Sequence, residues 1–410
     1  MNRVRATTRY RLFALPVILL SASCAAGGVG PGAPGLDDDA AMELARRVLA
    51  DVPLVDGHND LPWEIREYEP APMDVAAYDL RGRTPGHTDI PRLREGMVGI
   101  QFWSVYVPVA AIEAGAARVQ LEQMDIAKRI FATYPEVFRE TPSVDEAMAA
   151  WRRGHVASVM GMEGGHAIEN SLGALRSFHR LGARYLTLTH SDNIDWADSG
   201  TDEPEHGGLT PFGMEVVREM NRLGMLVDLS HTSPATMNDA LDVSEAPVIF
   251  SHSSARGVTD HPRNVPDDVL HRLPRNGGVV MVTFVPQFIN AEVQRYYDTP
   301  ASERPAGPAP RATLADVADH IEHVRRVAGI DHVGIGGDFD GISTVPVGLE
   351  DVSTYPALLA ELARRGWTAG ELRKLAGQNV LRVWRRAEAV AERLQRERPP
   401  STATIEQLDG

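Results

Sequence analysis

The sequence predicts a (β/α)8 barrel closed by C-terminal helices, and three observations carry that prediction. Short β-type runs alternate with longer helical patterns along most of the chain. Eight such runs fall within roughly 300 residues, which suits a barrel of about 250 residues plus insertions. Five of the runs stop on a residue type that binds metal: Val-Asp-Gly-His58-Asn-Asp60, Val-Met-Gly-Met-Glu163, Leu-Thr-Leu-Thr-His190, Leu-Val-Asp-Leu-Ser-His231 and Val-Ile-Phe-Ser-His252. A barrel delivers the C-terminal end of every strand to one rim, where residues distant in sequence meet. An open doubly wound sheet, the alternative, gathers such ends only near its switch point.

Residues 1–24 read as a bacterial lipoprotein signal. A basic start leads into the apolar run Leu12 to Leu20 and then Ser21-Ala-Ser-Cys24, with Cys24 the residue to be lipidated. The run is too short to span a bilayer, which takes about 20 apolar residues. The expected location is therefore outside the cytoplasm, anchored to a bacterial membrane by an N-terminal lipid. Cys24 is the only cysteine, so no intrachain disulfide can form and the mature body has no thiolate ligand or nucleophile. Residues 25–40 begin Gly- and Pro-rich and read as a flexible tether. Residues 41–394 form the single domain, and 395–410 a polar tail expected to fray.

Strands are expected near 53–57, 98–104, 156–161, 184–189, 225–230, 247–251, 278–284 and 332–337. Several are continuously apolar, as in Gly278-Val-Val-Met-Val-Thr-Phe284, which suits a parallel sheet buried on both faces. Helices are expected over 113–133, 143–153, 171–181, 211–223, 234–242 and 313–327. Ser143 with Glu146 forms a capping-box pattern, and Ser233-Pro234 sets a proline in a first helical turn. Segments 62–92 and 285–312 follow strands and read as loops overhanging the rim. Residues 356–394 read as two closing helices.

At 410 residues and 43% hydrophobic the chain can bury one large core. Its net charge is −15; residues 1–23 hold four arginines and no acid, so the rest carries −19. An acidic body argues against a nucleic-acid partner, whose phosphates reward clustered Lys and Arg.

His58 and Asp60 are spaced i, i+2, so on an extended segment both point to the same side and can hold one divalent ion such as zinc. Glu163, before two glycines, can bridge two ions. His231 and His252 end adjacent strands and offer a second ion two nitrogens. With those five completing two sites, His190 is left for substrate contact or oxyanion stabilisation. Arg263, after the sixth predicted strand, is a candidate carboxylate clamp through its forked donors. His166 is assigned no role beyond a loop hydrogen bond. In Gly334-Ile-Gly-Gly-Asp338-Phe-Asp340-Gly, a dinucleotide fingerprint would need glycine where Phe339 stands. Asp338 is the first choice for proton transfer, and Asp340 the second. Neither a His-Glu-x-x-His nor a Gly-x-Ser-x-Gly motif occurs.

The motifs Asp56-Gly-His-Asn-Asp-Leu-Pro62, Met162-Glu-Gly-Gly-His166, Leu186-Thr-Leu-Thr-His-Ser191, Val227-Asp-Leu-Ser-His231, Pro247-Val-Ile-Phe-Ser-His-Ser-Ser254, Arg263-Asn-Val-Pro266 and Gly336-Gly-Asp-Phe-Asp-Gly341 resemble the membrane (renal) dipeptidase family. The similarity runs from about residue 50 to 387. It implies an amidohydrolase-like barrel that hydrolyses dipeptides with two zinc ions. It implies further that His58 and Asp60 bind one zinc, His231 and His252 the other, and Glu163 both. His190 and Arg263 would contact substrate and Asp338 assist proton transfer. Family members are often dimers, so the resemblance allows a homodimer. Where animal members carry a tyrosine after the seventh strand this chain has Phe288, and it lacks their disulfide cysteines and C-terminal lipid-anchor signal. Two rivals remain: a barrel hydrolase acting on another amide, lactam or ester, and a lipoprotein that binds peptides without chemistry.

Overall fold

The computed structural model describes residues 36–410, so the leader, Cys24 and most of the tether lie outside the described residues. Among the described residues there are nine strands, all paired in parallel: β1 (Leu54–Asn59), β2 (Val98–Tyr106), β3 (Phe138–Glu140), β4 (Val156–Glu163), β5 (Ala183–Thr187), β6 (Leu226–Asp228), β7 (Ile249–Phe250), β8 (Val279–Val282) and β9 (Val333–Ile335). Eight of them run round a closed ring in the order β1-β2-β4-β5-β6-β7-β8-β9, with β9 returning to β1. This is the predicted (β/α)8 barrel, of amidohydrolase-like form. The extra strand, β3, adds outside the ring to the first half of β4, before β5 begins its own pairing at Met160.

β6 and β7 stop earlier than their apolar runs do, for a reason tied to the site. The backbone N–H groups of Ser230 and Ser251 donate to the Asp228 carboxylate, and that of His252 donates to Ser230 Oγ. Side chains take over where the ladder ends. The helix expected over 113–133 is likewise divided: a 3₁₀ turn Val109–Ala114 is followed by Gly115 at φ 90°, and the α-helix runs Ala116–Thr133. Ser143 caps its helix by accepting from Glu146 N, and Ser233 accepts from Thr236 N ahead of Pro234.

Strand alternation sorts the barrel interior by height. On β2, Ile100 and Phe102 fill the lower core, Ser104 reaches the level of Glu163, and Tyr106 lies at the mouth. The bottom is plugged by helix Asn379–Glu397. Its Val380, Val383, Trp384 and Ala387 recur at helical spacing and join the cluster of Val55, Phe102 and Tyr185. Trp384 and Phe102 have ring centroids 5.7 Å apart.

Helix Asp38–Asp51, capped by Asp37, packs on helix Tyr355–Arg364 and starts inside the segment read as tether. The polar tail, expected to fray, is hydrogen-bonded to the domain. Ser401 O accepts from Arg176 at 2.8 Å, and Asp409 accepts from Thr210 Oγ1 at 2.6 Å and Phe212 N at 2.9 Å. Among the described residues no helix is long and apolar enough to cross a membrane.

Candidate active site

β1, β4, β6, β7 and β9 deliver their C-terminal ends to one rim. Glu163, the last residue of β4, sits between the histidines: its Oε2 is 3.3 Å from His58 Nε2, and its Oε1 is 3.0 Å from His231 Nε2 and 3.3 Å from His252 Nε2. Asp60, one residue past the end of β1, brings Oδ2 to 3.2 Å from His58 Nε2, on the same side as expected. His231 and His252 bring their Nε2 atoms within 2.9 Å of each other. His231 holds φ 69°, a strained value for a residue with a side chain, kept by the turn that follows β6.

The nitrogens turned away from this centre are held by partners that the motifs do not reveal. His58 Nδ1 is 2.8 Å from the phenolic oxygen of Tyr185. His252 Nδ1 is 2.8 Å from Ser251 Oγ, which donates in turn to Asp228 at 2.6 Å. Asp56 ties β1 to β9: it accepts from Gly337 N at 2.8 Å, Gln101 at 2.9 Å and the Tyr355 hydroxyl at 2.6 Å. Burial pushes both Asp56 and Asp228 upward in pKa, and these hydrogen bonds pull the other way. One signal for them existed, a carboxylate inside an apolar strand two or three residues before a histidine.

The donor set fits a borderline divalent cation such as zinc. His58 Nε2 is buried without a hydrogen-bond partner while facing Asp60 and Glu163. Burial holds His231 and His252 well below the ordinary imidazole pKa, leaving neutral nitrogens able to ligate. Burial alone would raise Glu163, but His58, His231 and His252 outweigh it and hold the carboxyl well below its usual range. Three overlapping groups have ligand atoms within 4.8 Å of one another: His58, Glu163 and His252; Glu163, His190 and His231; His58, Asp60 and Asp338. Metal-ligand clusters of this kind, sharing residues, are consistent with a binuclear site. They also bring His190 and Asp338, set aside in the sequence reading for other roles, within ligating reach.

Around the centre is a cavity of about 340 Å³, at the small end of the range for small-molecule sites, roughly 300–1,000 Å³. His190 lies in it with Nε2 3.9 Å from Glu163 and its ring stacked on His231 at 4.2 Å. Arg263 also lines it, 4% exposed, with its guanidinium 5.3 Å from the centre of the Phe288 ring. Burial pushes Arg263 down only to about 10, so it stays charged at neutral pH. Phe288 itself lines the cavity, where it offers a ring face and no hydroxyl.

Asp338 and Asp340 both reach the cavity, at φ 63° and 66°. Asp338 Oδ1 is 3.9 Å from His58 Nε2, and burial raises its pKa well above the carboxylate norm. Asp340 instead faces segment 62–92, which was expected as a loop but carries helix Leu61–Glu67 and the start of helix Ile90–Glu95; it accepts from His87 N, while its own N–H donates to His87 Nδ1 at 3.0 Å. His166 is buried and bonded to Val107 O at 3.0 Å, outside the cavity lining. Trp63, Tyr106, Val285 and Ile342 complete the walls, and sequence reasoning had singled out none of them.

A profile of the family described as Membrane dipeptidase (Peptidase family M19) matches residues 42–398. The chain belongs to the membrane dipeptidase family. It is 45% identical over 359 residues to an uncharacterized dipeptidase of Schizosaccharomyces pombe, covering 84% of this chain and 83% of that one. A metallo peptidase from Rhodobacter sphaeroides, solved with a phosphinate mimic of the dipeptide L-Ala-D-Ala, is 28% identical with a TM-score of 0.70, covering 82% of this chain and 99% of that one. The probable dipeptidase PvdM from Pseudomonas aeruginosa shares the fold, with a TM-score of 0.75 at 24% identity, covering 86% of this chain and 100% of that one. Membership in this metallo-dipeptidase family supports hydrolase activity on peptide-like substrates.

Proposed function

We propose that this chain hydrolyses dipeptides with two zinc ions. His58 and Asp60 would hold one, His231 and His252 the other, and Glu163 both. The observation that carries this reading is the division of the Glu163 carboxylate, one oxygen toward His58 and the other toward His231 and His252, beside a buried arginine in the same cavity. When bound, such a pair supplies Lewis acidity and lowers the pKa of water to about 7.

The chain's own residues do the rest. Arg263 grips the terminal carboxylate of the substrate through its forked donors. Trp63, Tyr106 and Phe288 line the cavity with aromatic rings. Asp338 takes the proton of the attacking water and delivers it to the amine nitrogen as the C–N bond breaks. Ser191 Oγ lies 2.9 Å from His190 Nδ1 and can donate to it, leaving the proton on Nε2 for the tetrahedral oxyanion. A fixed carboxylate grip restricts cleavage to the C-terminal peptide bond, and a cavity of about 340 Å³ leaves little room on the amino side for more than a dipeptide.

The ligand of the Rhodobacter sphaeroides enzyme supports including L,D-dipeptides among the substrates. A panel of L,L- and L,D-dipeptides is assayed beside an N-acyl amino acid, a lactam and a lactone, with zinc quantified in the same sample. Cleavage of dipeptides with about two zinc per chain is expected. Turnover confined to the other compounds would redirect the substrate, and peptide recovered intact from zinc-loaded protein would favour a binding role. Residues 1–24 are proposed to place the enzyme outside the cytoplasm on a lipid carried by Cys24, and C24A should abolish labelling by a fatty-acid probe.

A further inference from the structure

Helix Leu314–Ala328 lies on the outside of the barrel, yet its fully buried His320 is hydrogen-bonded to both loops that shape the Arg263 side of the cavity. Nδ1 accepts from Ala255 N at 3.0 Å, and Nε2 lies 3.2 Å from Ile289 O and 3.3 Å from Thr259 Oγ1. A backbone N–H only donates and a carbonyl only accepts, so these partners fix the tautomer with the proton on Nε2. Burial keeps the ring neutral by pushing its pKa down to about 4.

Asn264 joins the same two loops at a second point, donating from Nδ2 to Thr259 O at 2.9 Å and Phe288 O at 2.6 Å. Between the two stitches the Arg263 guanidinium lies over Phe288. Its own hydrogen bonds are long, 3.5 Å to Ser253 Oγ and 3.4 Å to His252 O. The direction of its donors therefore depends on how the two loops are held.

We propose that His320 is a positioning residue that locks loop 255–265 to segment 285–290 so that Arg263 meets a substrate carboxylate in the cavity. The inference rests on the reading of Arg263 given above, and His320 itself contacts none of the metal-ligand candidates.

The test measures kcat and KM on a cleaved dipeptide and on its C-terminal amide for the wild type, H320N, H320Q and R263M, all zinc-loaded and assayed for zinc content. H320N should raise KM for the dipeptide about tenfold, with kcat within about twofold, the pattern of lost uniform binding. The amide should be unaffected, so the preference for a free carboxylate narrows, and zinc content should not change. H320Q can place an amide donor near the position of Nε2 and should recover part of the preference; it is the variant scored if H320N does not fold. Full carboxylate preference in the His320 variants, with its loss in R263M, overturns the positioning role alone. Full preference in R263M overturns the Arg263 reading and this inference with it.

Discussion

The phenolic oxygen of Tyr185 lies 2.8 Å from Nδ1 of His58, carried by a ring that crosses the barrel directly over Gly161. A Cβ on residue 161 would stand 2.0 Å from Cζ of that ring, so the strand needs glycine there for the tyrosine to reach. With Nδ1–H donating to the phenol, Nε2 is the nitrogen left to turn a lone pair to a cation held with Asp60 and Glu163. Partners of this kind typically contribute about 10–100-fold to metal affinity. Y185F keeps the ring and loses the acceptor, so its zinc affinity should fall by about that factor. Competition with a chromogenic chelator measures it, and equal affinities in the two proteins would remove the assigned role.

The contrast between Tyr185 and the histidines shows what was legible in the sequence. Parallel strands buried on both faces read as continuous apolar runs, so the eight ring strands were found near their true places. β3 was missed because three residues, two of them exposed, carry no periodicity. The residues that meet around Glu163 were visible because each stands at a strand end, a local property. Their supports were not: Tyr185 reaches His58 across 127 residues, and Tyr355 reaches Asp56 across 299. The excess length predicted for β6 and β7 has the same origin, since a ladder replaced by Asp228 and Ser230 side chains looks apolar and extended in one dimension.

Asp60, Glu163, Asp338 and Asp340 share one small cavity with a single arginine, an arrangement that cations stabilise. Exhaustive chelation should abolish dipeptide cleavage and lower the melting temperature, and added zinc should restore both. A ligand at 100 times its Kd stabilises the native state by about 2.7 kcal/mol. Calorimetry and a dipeptide assay on the same sample check it; full activity in metal-free protein would end the zinc proposal.

Asp338 and Asp340 are separable because of their backbone. Both hold left-handed φ values, which asparagine tolerates as well as aspartate, so neither Asn variant adds strain. D338N should retain its zinc and lose about 10²–10⁴ in kcat, the usual contribution of a general acid–base group. D340N should change kcat little, because its Oδ1 is taken by the N–H of His87 and, unlike Asp338, it joins none of the metal-ligand groups. The reverse ranking would make Asp340 the proton carrier.

His320 also predicts how stability falls in acid. Burial takes its pKa from 6.5 to about 4, and the nearby His323, Asp319 and Asp316 change that less than burial does. Because the folded pKa is depressed, the unfolded chain binds the proton more tightly. The contribution to stability is complete above pH 6.5, declines as pH falls toward 4, and reaches a loss on the order of 3 kcal/mol. The cause is visible in the structure: an imidazolium would turn a second N–H against the amide of Ala255. Urea unfolding of the wild type and H320Q between pH 7 and 4.5 isolates the effect, since other buried histidines titrate alike in both proteins. The wild type should lose on the order of 2–3 kcal/mol more than the variant over that interval. Parallel stability curves would show that the ring takes up its proton as readily in the folded protein as in the unfolded chain, contrary to the neutral tautomer its partners require.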